Sequence, residues 1–171
     1  MYIKIILGLI VIAGLWLGIL VYYKNKKSQD NKLFLIQAIF VVLWIVFNYM
    51  ENDPLSLEVR KLFLYLDFII AITWGFFWYL FCYNFLEEKN LLTRKNILFL
   101  FLSFLMSFFV INDYIIYDAE IVDDVIIFKE GSLFAVYALL ALYYYLGGSV
   151  ILFFKYKKFA GKKRFNLYMY C

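Results

Sequence analysis

Asp67 is the one charged side chain that sits well inside a long apolar stretch of this chain. An ionised carboxyl in hydrocarbon costs roughly 2.5–3.5 kcal/mol on an insertion scale, so it has to face protein, water or a ligand. At helical spacing Asp67 shares a face with Ala71, Trp74 and Trp78, and Gln37, Val41, Trp44 and Asn48 form a similar face in the preceding apolar stretch. If the two faces meet, they outline an aromatic-walled crevice with a few polar groups, the usual form of a small-ligand site. Asp67, Asn48, Trp44 and Trp74 are therefore the candidate ligand-sensing residues. The alternative is interhelical glue, with Asp67 and Asn48 hydrogen-bonded between neighbouring helices.

Other reactive groups are few. The chain has no histidine and two cysteines, Cys82 inside an apolar run and Cys171 at the last position. A disulfide scaffold, a zinc site and histidine-based catalysis are not expected. The adjacent carboxylates Glu87 and Glu88, and Asp123 and Asp124, read as solvated loop charge, because neighbours on an exposed loop rarely converge on one substrate atom. No phosphate-binding glycine loop, CxxC, HExxH or serine elbow occurs. No catalytic residue, cofactor or metal is expected.

The elements that must position Asp67 follow from composition. Of the 171 residues 66% are hydrophobic and 18% charged, against roughly 45–50% and about 25% in a soluble domain. Too few polar residues remain to cover a water-soluble fold of this size. A hydrocarbon core of about 30 Å takes roughly 20 helical residues to cross. The sequence predicts an all-α, polytopic transmembrane helix bundle, a single membrane domain over 1–171, with spans at about 5–23, 33–50, 62–86, 95–113 and 133–154. Residues 165–171 are expected to start a sixth span, or to form a short interfacial tail. The first span lacks a small-residue cleavage site at Tyr22, Tyr23, Lys24 and is expected to stay in the membrane.

Of the 17 basic residues, only Lys4, Arg60, Lys61 and Lys129 lie on one side, and the other thirteen lie in alternate loops. The first carries Lys24, Lys26, Lys27 and Lys32, the third Lys89, Arg94 and Lys95, and the fifth Lys155, Lys157, Lys158, Lys162, Lys163 and Arg164. Lysine and arginine stay on the cytoplasmic side, so the N-terminus is expected outside the cell membrane. The net charge of +4 is thus topological, and no nucleic-acid partner is expected. The external loop 112–132 is acidic, and its β-prone stretches around Asp123 and Asp124 predict either a small hairpin or a solvated loop. Gly14 and Gly18 form a small-xxx-small pattern that lets another helix approach; Gly147 and Gly148, followed by Ser149, permit close packing or a bend.

These pieces occur in a familiar order. A basic loop leads into Asn31, Lys32, Leu33, Phe34, a tryptophan-bearing second span follows, and the third span ends in Phe81, Cys82, Tyr83, Asn84, Phe85. The β-prone outer loop closes on Lys129, Glu130, Gly131, Ser132, Leu133, Phe134, and Lys162 to Arg164 precede the sixth span. The layout resembles the N-terminal seven-transmembrane sensor region of bacterial histidine kinases. The resemblance implies a sensor input domain of a two-component system that passes an external or intramembrane stimulus to a cytoplasmic kinase, whose phosphoacceptor histidine and ATP-binding domain lie beyond Cys171. Its expected partners are the lipid bilayer, that kinase domain and a second copy in a homodimer. The competing reading is a small transporter or channel subunit, which normally places several polar or broken-helix features near the midplane. A membrane-embedded enzyme ranks third, for want of convergent reactive groups.

Overall fold

The computed structural model describes residues 2–85, 91, 93–123 and 125–169, with side chains from 4 to 159 of that set. The elements are α1 (Tyr2–Lys24), α2 (Gln29–Glu51), α3 (Leu57–Asn84), α4 (Arg94–Ile111), β1 (Ile116–Val122), β2 (Val125–Glu130) and α5 (Phe134–Met169). Among the described residues all five helices hold a stretch long and apolar enough to cross a bilayer. Their outer faces bear this out: Ile12, Phe104 and Leu139 are 67%, 68% and 67% exposed. A surface that apolar requires lipid rather than water around it.

Helix starts are set by local polar residues. Ser28 Oγ accepts from the Asn31 N–H at 3.4 Å, and Thr93 Oγ1 from the Asn96 N–H at 3.2 Å. Each satisfies a donor that the first helical turn leaves without a partner. Asn31 Nδ2 also donates to the Val21 carbonyl at 2.7 Å, which ties the end of α1 to the start of α2.

The centre of the bundle is α3, against which α2, α4 and α5 pack, while α1 lies on α2. Its residues Ile72, Phe76, Tyr79 and Leu80 meet Met106 and Val110 of α4 and Tyr137 and Tyr144 of α5 in the core. Small residues mark two close approaches. A β-carbon on Gly18 would stand 2.6 Å from Ala38 Cβ of α2. One on Gly148 would stand 3.0 Å from the Trp78 ring and 3.3 Å from Tyr79 Cα of α3. Gly14 faces Val42 at 3.6 Å, whereas Gly147 meets only Tyr143, at 4.0 Å and on its own helix.

The outer loop forms the predicted hairpin, antiparallel with Val122 opposite Val125 and an irregularity between Tyr117 and Glu120. No glycine serves its turn; Asp123 takes the left-handed conformation at φ 49°, as Asp118 does at φ 54° in the irregular stretch. Aspartate tolerates that region through local hydrogen bonding. Asp124 lies outside the described residues, as do Glu87 and Glu88. Where β2 returns to the bundle, the Gly131 N–H donates to the Ile115 carbonyl at 2.8 Å, and any β-carbon there would collide with the Tyr114 carbonyl. Ile115 and the hairpin's own Ile116 and Ile126 are buried, and Phe128 meets Phe68 of α3 edge to face at 5.4 Å.

The chain departs from the sequence expectation at its far end. Helix α5 runs without a break through 155–164, where a basic loop and then a separate sixth span were expected. Lysine and arginine are good helix formers and no proline intervenes; the one glycine, Gly161, costs only about 1 kcal/mol and does not end the helix once it has left the apolar stretch. Gly147 and Gly148 do not interrupt it either.

Candidate functional site

Helices α2 and α3 run antiparallel and interleave their aromatic rings. Phe34 lies on Phe81, Phe40 on Phe77, Trp44 on Trp74 and Phe47 on Phe63, at centroid separations of 6.3, 5.3, 5.9 and 5.8 Å. This register brings the Gln37/Trp44/Asn48 face of α2 onto the Asp67/Trp74 face of α3. The Trp74 indole N–H donates to Gln37 Oε1 at 2.6 Å, and the Trp44 indole lies beside the Asp67 carboxyl.

Helix α5 supplies a third side. Tyr145 meets Trp74 edge to face at 5.5 Å and donates its hydroxyl to the Ala71 carbonyl at 2.8 Å. Tyr137 donates to the Phe68 carbonyl at 2.7 Å, and the Trp78 indole reaches the Tyr145 carbonyl at 3.3 Å. Both Tyr137 and Tyr145 lie within the electrostatic reach of Asp67. The four candidate sensing residues thus fall in one region, with three of them, Trp44, Trp74 and Asp67, in direct succession.

Asn48 is placed differently from the expected bond to Asp67. It donates to Glu51 Oε1 of its own helix at 3.3 Å, because Glu51 stands one turn further along the same face. Glu51 and Arg60 are the site residues that sequence reasoning missed. Both are charged yet only 8% and 2% exposed, and Arg60 Nε donates to the Glu51 carbonyl at 2.6 Å. Their sequence position, at the ends of two helices around Pro54, looks like an ordinary solvated turn. The available signal was the Asn48, Glu51 spacing on one helical face.

Several buried polar atoms find no partner among the described residues: Gln37 Nε2, Glu51 Oε2 and Asp67 Oδ1 along this side of α2 and α3, and Asn84 Oδ1 at the far end of α3. A buried polar atom left unpaired costs about 1–3 kcal/mol. A groove of about 350 Å³ between α1 and α2, lined by Leu7, Trp44, Ile45, Asn48, Tyr49 and Asn52, opens beside the cluster. Outside the spans, the Tyr49 hydroxyl donates to Asp53 at 2.8 Å and, with Lys4 of α1, holds the Asp53 carboxyl below its ordinary range.

At the other end of α3 a second polar group gathers. Asn84 Nδ2 donates to Asp30 of α2 at 2.6 Å, and Lys155 Nζ of α5 donates to the Tyr83 and Phe85 carbonyls at 2.5 and 2.9 Å. Lys155 thereby caps the C-terminus of α3, where carbonyls lack helical partners.

Comparison with known families matches residues 6–170 to the family described as the N-terminal 7TM region of histidine kinase. No curated protein and no solved structure matches the chain.

Proposed function

Because the chain belongs to the family of N-terminal 7TM regions of histidine kinases, we propose that it is the membrane input domain of such a kinase and converts a stimulus at its hairpin end into a shift of helix α5. The N-terminus and the hairpin face the outside, an orientation that rests on the basic residues of the first, third and fifth loops. The receiving site is the cluster of Asp67, Asn48, Trp44 and Trp74.

The observation that carries this reading is the meeting of α2, α3 and α5 at Asp67. A stimulus that binds there touches three helices at once, so it can favour one packing of the bundle over another. Unequal binding to two packings is the physical requirement for transmission, since a ligand indifferent to both shifts neither. The hairpin reaches the same place through Phe128 and Phe68. At the far end, Lys155 links α5 to the last turn of α3, so movement of α5 is felt across the bundle.

The test joins the chain in frame to a cytoplasmic histidine-kinase core in a bacterial membrane. Asp67→Asn and Trp44→Ala should change basal autophosphorylation about fivefold or more, the size of an ordinary coupling free energy. Unchanged kinase output in both variants, together with solute flux by the intact chain in proteoliposomes, would replace this reading with a transport function.

A further inference from the structure

Charge is divided unequally between the ends of the bundle. The segments that join α1 to α2 and α3 to α4, with the tail of α5, hold thirteen basic residues against three acidic ones, Asp30, Glu87 and Glu88, whereas the rest of the chain holds four basic and ten acidic. Three of those four, Lys4, Lys61 and Lys129, pair with Asp53, Asp113 and Asp118. At the opposite end Arg94 and Lys95 stand in no ion pair among the described residues. Both occupy the first turn of α4, which holds no acidic residue and where the helix dipole disfavours cations. The fold itself does not offset their charge.

Lys95 is nevertheless held in place. Its ammonium lies 5.5 Å from the Tyr79 ring centre and 5.4 Å from that of Phe99, beside the Tyr79 and Tyr143 hydroxyls. Tyr79 of α3 is 1% exposed and acts as a fixed post behind the lysine. Lys95 itself is exposed, and Tyr143 of α5 is 42% exposed, so an ammonium and a phenol on two different helices are open to the same surroundings. Such a pair donates charge-assisted hydrogen bonds to an anionic oxygen, and phosphate offers several.

The flanking surfaces decide which phosphate. Further along α4 from Lys95, Leu98 and Phe101 are exposed, as are Leu139, Leu142 and Leu146 on either side of Tyr143 along α5. A soluble anion leaves these side chains bare, whereas acyl chains cover them. Helix α4 has 18 residues, about 27 Å at 1.5 Å each, so its first turn stands at the edge of roughly 30 Å of hydrocarbon. Lipid phosphates lie at that level, and lysines and arginines placed there attract anionic headgroups.

We propose that Lys95 and Tyr143, with Arg94 next in the chain and Tyr79 behind Lys95, bind the phosphate of an anionic phospholipid whose acyl chains run along α4 and α5. This site is separate from the Asp67 cluster and its binding requires no kinase. A lipid held there ties α4 to α5 close to where α5 leaves the apolar stretch.

The test follows the whole chain in a neutral maltoside detergent by native mass spectrometry, titrated with phosphatidylglycerol and with phosphatidylcholine of the same acyl chains. The first phosphatidylglycerol should bind at least tenfold more tightly than the first phosphatidylcholine. Lys95→Gln should weaken phosphatidylglycerol tenfold or more and leave phosphatidylcholine as it was, Lys95→Arg should keep most of the affinity, and Tyr143→Phe should lose severalfold. Lys27→Gln, at an exposed lysine between α1 and α2, should change it less than twofold. Equal binding of the two lipids to the unaltered chain overturns the proposal, whether or not the variants fold. So does an equal loss in Lys95→Gln and Lys27→Gln, which would mean diffuse attraction to the whole basic end. Displacement of phosphatidylglycerol by millimolar inorganic phosphate would assign the site to a soluble anion and overturn the lipid.

Discussion

The two polar clusters along α3 differ in how fully they are satisfied. Near its end, Asn84 Nδ2 reaches Asp30 and Lys155 reaches two carbonyls across α2, α3 and α5, which leaves Asn84 Oδ1 as the one buried side-chain atom there without a partner among the described residues. Near its beginning, Asp67 forms no salt bridge among the described residues, and Gln37, Glu51 and Asp67 each keep an unpartnered atom there. Both clusters join the same three helices. A satisfied buried network fixes a packing, whereas an unsatisfied one holds free energy that a ligand or an altered packing can release. The contrast fits an anchoring role for the Lys155 end and the receiving role proposed above for the Asp67 end.

Substitutions can break that contrast, and the largest effect is expected at Lys155. Lys155→Met removes two hydrogen bonds from a charged donor, each worth about 1.5–3 kcal/mol, and should lower unfolding free energy in mixed micelles by about 2–4 kcal/mol. A loss below about 0.5 kcal/mol would deny the anchoring role. Next in size is Gly148→Val, which forces α5 away from Trp78 and the Tyr79 backbone and should cost about 1–3 kcal/mol. Gly147→Ala, whose new β-carbon meets no described atom of another helix within 4 Å, should be neutral or gain up to about 1 kcal/mol.

At the receiving end the sign reverses. Asp67→Asn replaces an uncompensated charge with a neutral group of the same shape and should raise stability by about 1–2 kcal/mol in the same micelle assay. A destabilised variant would mean that Asp67 is as well satisfied as Lys155, and the distinction between the ends would fall.

The smallest effect concerns the hairpin. Its Lys129 and Asp118 form an ion pair that holds the Asp118 carboxyl below its ordinary range and lifts the Lys129 ammonium above its own. The carboxylate's share of stability is present above about pH 4 and fades as pH falls through its lowered value. The lysine's share is present below roughly pH 10 and fades as pH rises through its raised value. Cross-strand nuclear Overhauser contacts between Tyr117 and Lys129 should therefore hold between those limits and weaken outside them. Both groups are solvent-exposed, so salt should blunt the effect.

Much of this was legible in the amino-acid pattern. Runs of apolar residues between lysine-rich turns specify the spans, and the spacing of Gln37 and Trp44 against Asp67 and Trp74 predicts the faces that meet. What escaped was of two kinds. Glu51 and Arg60 are polar residues near a proline-containing turn, and only tertiary packing takes them out of solvent. The continuation of α5 past Phe154 escaped because charge marks where lipid ends, not where a helix ends. The choice of Glu51 over Asp67 as partner of Asn48 has a similar origin: the interhelical option was visible in the pattern, but the intrahelical neighbour needs no docking to be in reach.

The unbroken course of α5 has a mechanical corollary. Its 36 residues measure about 54 Å at 1.5 Å each, well over the roughly 30 Å of hydrocarbon. Pivoting about its outer end, such a rod would act as a lever: a tilt of about 5° would carry its far tip through about 5 Å over that length. In the input domain proposed above, a jog of that size, nearly one helical pitch, would reach the far end of α5 through one continuous helix.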